Sequence, residues 1–183
     1  MGMTQKDNEN VNEDKKLDIQ VGEPFISQID YSLSREELAD YCDRQMELIN
    51  NGQKELATVE LMMLGYALDF ISFARNFVQE DIDFAEENLE RFDAILEALH
   101  ELLAGGGLTQ DNFNDIVKKA TAFFGVLILK NLGGNWVQTN VGMAININET
   151  NAFVYNRIAR RIYNGKEDEV ISFYHVITGL SSK

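Results

Sequence analysis

The stretch ATAFFGVLIL, residues 120–129, decides the fold class of this chain. It is apolar on every side of a helical projection, so it predicts a helix that is buried all around. Gly125 lies in its middle, where a missing side chain predicts close approach by another part of the backbone. The helix begins upstream at Thr109, whose hydroxyl caps the first turn. The glycine pair at 133–134 ends it, because glycine adopts left-handed backbone angles without strain.

Three further helices are predicted upstream. The first opens at Ser34, where a hydroxyl followed three residues later by Glu37 forms a capping box, and Asn51 and Gly52 end it. The second, about residues 54–79, is apolar on nearly every face, which predicts the central helix of a bundle. The third, about residues 81–103, is amphipathic. Charged residues in the second helix are expected to lie at its rim or to be paired, because an unpaired buried charge is costly; they are Glu60, Asp69 and Arg75.

Downstream of the buried helix the pattern changes to a period of two. Residues 136–139 and 143–148 flank a turn and predict a β-hairpin, to which residues 153–155 add a short third strand. Two short helices follow, about residues 156–163 and 168–178. Residues 21–33, which contain the single proline, form either an extended arm or a short helical turn.

These elements predict a mainly helical α+β protein. It has about four longer helices, a small antiparallel hairpin or three-stranded sheet, and two short C-terminal helices. Residues 1–20 are polar and predict a disordered tail. Residues 21–183 form one domain, with an acidic helical part at 21–104 and a neutral to basic α+β part at 108–183.

Charge is segregated along the sequence. The chain has a net charge of −14, and residues 21–104 contain nineteen acidic side chains against five basic ones. Such a surface repels polyanions, so no nucleic-acid partner is expected. No basic segment precedes an apolar run and no uninterrupted apolar stretch is long enough for a membrane helix, which predicts a cytoplasmic protein without a membrane partner.

The third helix carries a row of carboxylates opposite its apolar stripe. Few basic residues accompany them, so they gain little from pairing within the helix. The row is either a solvated face or a docking face for a basic protein. The predicted partner-binding residues are Asp83, Glu86, Glu87, Glu90 and Glu97.

One dense basic cluster lies in the C-terminal part. Its arginines share one side of the predicted helix, and an aromatic residue of the hairpin is expected nearby. The cluster either neutralises the acidic helices of the same molecule, binds an anionic ligand, or contacts nucleic acid. The candidate ligand-binding residues are Trp136, Arg157, Arg160, Arg161 and Lys166.

Catalytic and metal-binding motifs are weakly represented. Glu97 and His100 have the Glu-x-x-His spacing of di-iron bundles, but a second copy is missing, since Ser172 precedes His175 at that spacing. The single cysteine, Cys42, excludes an internal disulfide and falls at an apolar helix position. We therefore expect no metal, no cofactor and no catalytic residue, and the sequence leans against an enzyme.

A family resemblance rests on the order of glycine, tryptophan and basic positions in residues 120–178. Gly125 is followed by Asn131-Leu132-Gly133-Gly134-x-Trp136, a hairpin, and Arg160-Arg161-Ile162-x-Asn164-Gly165. This order resembles an uncharacterised bacterial domain family with a Gly-Gly-x-Trp segment and a basic helix ending in Asn-Gly. The resemblance implies a bacterial source and no known reaction.

The sequence as a whole favours a non-enzymatic, acidic protein-binding module. One form of it is an immunity or inhibitor protein, because an acidic helical face steers towards a basic partner and blocks it. The first alternative is a small anionic-ligand binder or an unrecognised enzyme that uses the Trp136, Arg157 and Arg161 region. The second alternative is a structural subunit that self-associates through its second or fourth helix. The sequence leaves the oligomeric state open.

Overall fold

A computed structural model describes residues 19–181, which form helices and one antiparallel sheet. The helices are α1 (Arg35–Asn50), α2 (Val59–Val78), α3 (Leu89–Ala104), α4 (Gln110–Leu132), α5 (Val154–Asn164) and α6 (Val170–Ser181). The strands are β1 (Val21–Pro24), β2 (Asn135–Thr139), β3 (Gly142–Ile147) and β4 (Thr150–Ala152). The predicted mainly helical α+β class is confirmed. The predicted polar tail lies almost entirely outside the described residues.

Side-chain caps begin three of the helices. Ser34 accepts the N–H of Glu37, and the Glu37 carboxylate accepts the N–H of Ser34 at 2.9 Å, so the predicted capping box is complete. Thr109 caps α4, as predicted. The start predicted for the second helix is wrong: residues Lys54–Leu56 form a separate 3₁₀ turn, and Thr58 caps α2.

The start predicted for the third helix is also wrong. Residues 81–85 are not helical, and a 3₁₀ turn at Glu86–Asn88 precedes α3. The Asp83 carboxylate accepts the backbone N–H of Ala85 at 2.8 Å and also accepts the side-chain amide of Asn88. A short polar side chain that bonds its neighbouring backbone competes with helix formation. The first regular turn of α3 therefore comes after Asp83.

The sheet has four strands, one more than the larger of the two predicted forms, the three-stranded sheet. Its order is β1-β2-β3-β4, and all neighbours are antiparallel. The predicted hairpin is confirmed, with Trp136 opposite Ile145. The third strand is β4 and not residues 153–155, because Val154 and the residues after it begin α5. Of the two alternatives for residues 21–33, the extended one occurs at β1, which pairs with β2.

Aromatic side chains join the helices in the core. Phe70 of α2, Phe92 of α3 and Phe123 of α4 contact one another, with ring centroids 4.9 Å apart for Phe92 and Phe123 and 5.4 Å apart for Phe70 and Phe123. Phe124, one residue further along α4, contacts Phe92 on one side and Tyr174 of α6 on the other. Most of the buried apolar side chains belong to one hydrophobic cluster. α4 is thus the central helix, as its apolar stretch predicts.

Gly125 brings the sheet against the middle of α4. A Cβ atom at this position would lie 2.0 Å from Cη2 of Trp136, whose side chain is completely buried. The predicted close approach is confirmed, although the neighbour is an indole ring and not a backbone. Gly125 therefore fixes the distance between α4 and the sheet.

Among the described helices, α2 alone has the length and composition of a membrane span. It packs along α4, and its residues Leu64, Ala67 and Phe70 are completely buried. Only 39% of the apolar 18-residue stretch of α2 is buried, however. One side of α2 is therefore left without a partner from the part of the chain that the structure describes.

Candidate functional site

Arg161 of α5 is the centre of a buried ion-pair network. Its side chain has no solvent exposure, and its Nε and Nη2 donate to the two carboxylate oxygens of Asp93 at 2.9 and 2.8 Å. Its Nη1 donates to Glu97 Oε2 at 2.6 Å. Asp93 also accepts the backbone N–H of Val170 at 3.0 Å, the first residue of α6. One guanidinium and one carboxylate thus connect α3, α5 and α6.

The network keeps both groups ionised. Burial opposes ionisation of Asp93, but the hydrogen bonds from Arg161 and from the Val170 N–H outweigh it, so the pKa of Asp93 lies below its ordinary value. Burial likewise opposes the charge of Arg161, and its two carboxylate partners raise its pKa above the ordinary value. The Arg161 guanidinium is therefore charged and is bonded to carboxylates of the same chain.

The other two arginines of the predicted ligand site share a second acid. Nη1 of Arg157 and Nη2 of Arg160 each lie 3.1 Å from Asp168 Oδ1. Nδ2 of Asn164 donates to Asp168 Oδ2 at 2.7 Å. The hydrogen bond from Asn164 and the charges of the two arginines lower the pKa of Asp168. Lys166 is exposed and forms no ion pair within residues 19–181.

The structure therefore does not bring the candidate ligand residues together at the surface. Trp136 lies in the core against Gly125, Arg161 is enclosed, and Arg157 and Arg160 are paired with Asp168. Of the three interpretations of the basic cluster, internal neutralisation is the one with direct contacts. The sequence singled out the arginines but missed their partners, because Asp93 and Asp168 come next to them only in the folded chain.

The predicted partner-binding carboxylates divide into two groups. Asp83 is used in the turn before α3, and Glu97 is used by Arg161. Glu86, Glu87 and Glu90 are exposed and form no ion pair in the described part of the chain. Burial and the nearby Glu86 charge raise the pKa of the Tyr174 hydroxyl to about 12. Glu86 and Glu87 lie in the 3₁₀ turn before α3 and Glu90 lies in the first turn of α3, and we refer to the three together as the α3 carboxylates.

The Glu-x-x-His element has a structural use. His100 Nδ1 lies 3.0 Å from the carbonyl oxygen of Ile162, so the ring links α3 to the end of α5. Glu97, the other member, bonds Arg161. Within residues 19–181 no group of three His, Cys, Asp or Glu side chains is arranged to hold a metal ion.

A surface that the sequence did not predict lies between α1 and α2. It is an open, mainly apolar groove of about 490 Å³. Met46 and Met62 line it with 46% and 48% of their surface exposed, and Cys42 lies buried at its base. Its lining residues are Cys42, Met46, Ile49, Ala57, Thr58, Val59, Leu61, Met62, Gly65, Tyr66 and Asp69. We call it the α1–α2 groove.

One carboxylate lies in the wall of the α1–α2 groove, and a second is the chain neighbour of a lining residue. Asp69 lies in its wall on α2, and Asp43 lies on α1 next to Cys42. Burial and the charges of Asp43 and Asp69 together raise the pKa of the Cys42 thiol, which places both carboxylates within electrostatic reach of the base of the groove. The thiol is thus kept protonated, and Cys42 acts as an apolar wall residue.

Comparison of the chain with protein-family models, with curated proteins and with solved structures gave no match. The resemblance of residues 120–178 to an uncharacterised bacterial domain family stays a prediction.

Proposed function

We propose that this protein is a non-enzymatic module that binds a basic protein partner in the bacterial cytoplasm. The observation that carries the proposal is the state of the α3 carboxylates: Glu86, Glu87 and Glu90 are exposed, while the arginines of α5 are occupied by other acids. These three charges remain available to a cation from outside. An immunity or inhibitor protein is one form that this function takes.

Electrostatics give such a surface a defined role. Opposite charges accelerate encounter and select orientation, whereas most of the affinity comes from surfaces that exclude water. With a net charge of −14, the chain attracts a basic protein from a distance and repels nucleic acid. Binding is therefore expected to weaken as salt concentration rises.

The anionic-ligand alternative has less support. It requires arginines that face an open site, and Arg161 is enclosed while Arg157 and Arg160 share Asp168. A ligand would have to displace these internal partners, leaving Asp93 or Asp168 as a poorly solvated charge. A thermal-shift screen with anionic metabolites tests this alternative: stabilisation that Arg157→Ala abolishes would favour it.

The proposal is tested by co-purification from the native host at low salt, followed by charge reversal. The variant Glu86→Lys, Glu87→Lys and Glu90→Lys is expected to lose the recovered basic partner. The control reverses three exposed carboxylates elsewhere, Glu23, Glu149 and Glu167, and so makes the same change in net charge. Equal loss in both variants would indicate a nonspecific charge effect. Unchanged binding by the first variant, or recovery of no partner, would contradict the proposal.

A further inference from the structure

The α1–α2 groove has the composition of a binding surface for a protein segment. Its walls are apolar, and Met46 and Met62 expose nearly half of their surface there. Methionine is flexible and polarisable, so a methionine-lined wall adapts to different apolar side chains. An exposed apolar patch framed by charge is typical of an interaction site.

Gly65 gives the groove its depth. It lies inside α2, where glycine costs stability relative to alanine. At Gly125 the indole of Trp136 requires the missing side chain, but at Gly65 an added Cβ would meet only Cys42 Sγ, at 3.9 Å. Packing within this chain therefore does not require a glycine at 65. An occupant of the groove that approaches the α2 backbone closely does require a glycine at this position.

The shape of the groove favours a helix as its occupant. The lining residues of α2 extend from Val59 to Asp69, a length of about 15 Å at 1.5 Å per residue. Both walls are helices, whose backbone groups are already bonded, so the groove offers no edge to which a strand could be added. An amphipathic helix matches it, because apolar side chains at helical spacing cover about three turns of one face.

The charges around the groove set the polarity of that helix. Asp69 lies in the α2 wall, and on α1 Asp43 follows the lining residue Cys42 by one position, about 100° around the helix. Arg44 is about 200° away from Cys42 and so lies on the far side of α1. Lys118 Nζ lies 4.4 Å from the centroid of the Tyr66 ring, and its charge is paired with Asp115 at 3.3 Å. Basic residues beside the apolar face of the occupant meet the carboxylates of Asp43 and Asp69.

We propose that the α1–α2 groove binds an amphipathic helix of a partner protein, with its apolar face over Gly65 and with Lys or Arg residues beside Asp43 and Asp69. The proposal rests on the proposed function for the basic character of the partner, and it adds the site and the form of the recognised segment. A second copy of this chain is a poor occupant, because acidic surfaces with a net charge of −14 repel each other.

The test uses a fluorescent synthetic peptide of about 18 residues, composed of leucine and lysine with leucine at i, i+3, i+4 and i+7. Two comparison peptides have the same composition in scrambled order, or glutamate in place of lysine. Binding is measured by fluorescence anisotropy. The leucine–lysine peptide is expected to bind, and each comparison peptide is expected to bind at least about tenfold more weakly.

Two protein variants locate the peptide. Gly65→Leu fills the groove and is expected to weaken binding at least about tenfold. The control is Gly179→Leu, the same change at a glycine of α6 where an added Cβ would have nothing within 4 Å, and it is expected to leave binding unchanged. A second groove variant, Asp43→Asn with Asp69→Asn, keeps the shape and is expected to reduce both affinity and its salt dependence. Circular dichroism confirms that each variant is folded.

Several results would overturn the inference. They are no binding of the leucine–lysine peptide, equal binding of the scrambled peptide, and equal loss in Gly65→Leu and Gly179→Leu. A dimer in sedimentation experiments that Gly65→Leu dissociates would assign the groove to a second copy and overturn it as well. Failure here is distinct from failure of the proposed function, which depends on the native partner and on reversal of the α3 carboxylates.

Discussion

Adding one methyl group at two helix-interior glycines should change the stability of this protein in opposite directions. Replacing glycine by alanine inside a helix stabilises it by about 1 kcal/mol, because alanine restricts the unfolded chain and favours helical angles. Gly65→Ala should show this full gain, since the new Cβ meets only Cys42 Sγ at an ordinary distance of 3.9 Å.

Gly125→Ala should reverse the sign. The new Cβ would lie 2.0 Å from Cη2 and 2.4 Å from Cζ2 of Trp136, far inside the separation of about 3.5 to 4.0 Å that two carbon atoms prefer. The indole is rigid and completely buried, so α4 and the sheet have to separate. Overpacking of this kind costs up to about 3 kcal/mol, and after the helix gain we expect a net loss of about 2 kcal/mol.

Urea denaturation followed by circular dichroism measures both variants. The free energies of unfolding should differ by about 3 kcal/mol between Gly65→Ala and Gly125→Ala. Trp136→Phe provides a further control, because a smaller ring should reduce the cost of Gly125→Ala, and the reduction appears as a coupling energy in a double-mutant cycle. The reasoning would be refuted if Gly125→Ala were as stable as the parent protein, or if the two glycines responded alike.

Three further predictions concern the ion pairs and caps. Arg161→Met should lower the free energy of unfolding by about 3 kcal/mol in urea denaturation, because it leaves Asp93 unpaired, and adding Asp93→Asn should recover part of the loss. The pKa values of Asp93 and Asp168 are lowered in the folded state, so their contribution is complete above the ordinary value of 3.8 and is lost as pH falls through the folded values. Urea midpoints should therefore fall on acidification, and less steeply in Asp93→Asn; an equal slope would contradict this assignment. Ser34→Ala should cost about 1 kcal/mol by removing the capping box of α1, with Ser32→Ala as a nearby control outside the cap.

The sequence predicts well the parts of the fold that depend on neighbouring residues. The capping box at Ser34 and the cap at Thr109 are local patterns, and the structure follows both of them. A strand forms where the alternation predicts β3, although Ala144 is buried as completely as its neighbour Ile145. The start of α3 was misplaced because Ile82 and Ala85 continue its apolar stripe. Asp83 disfavours a helix there, because its carboxylate accepts hydrogen bonds from two groups within its own loop.

The parts that depend on distant residues could not be predicted. β1 joins β2 across more than a hundred residues, and its short sequence has no alternation that would reveal a strand. Arg161 is recognisable as a basic residue, but its acid Asp93 is identified only once α3 and α5 pack together. The α1–α2 groove is likewise absent from any single segment, since each helix supplies one wall. Exposed charged residues are therefore easier to predict from a sequence than an apolar groove that two separate helices form together.

The ion pair between Arg161 and Asp93 also affects the state of the chain during its synthesis on the ribosome. α3 leaves the exit tunnel well before α5 and α6, so the acids that Arg161 neutralises emerge first without their cation. Until the last segments appear, the face of α4 that carries Phe124 is uncovered as well. Nascent chains at this stage are exposed to aggregation and to proteases, and chaperones are expected to hold them. Fragments that stop before α5 should for the same reason be degraded in cells.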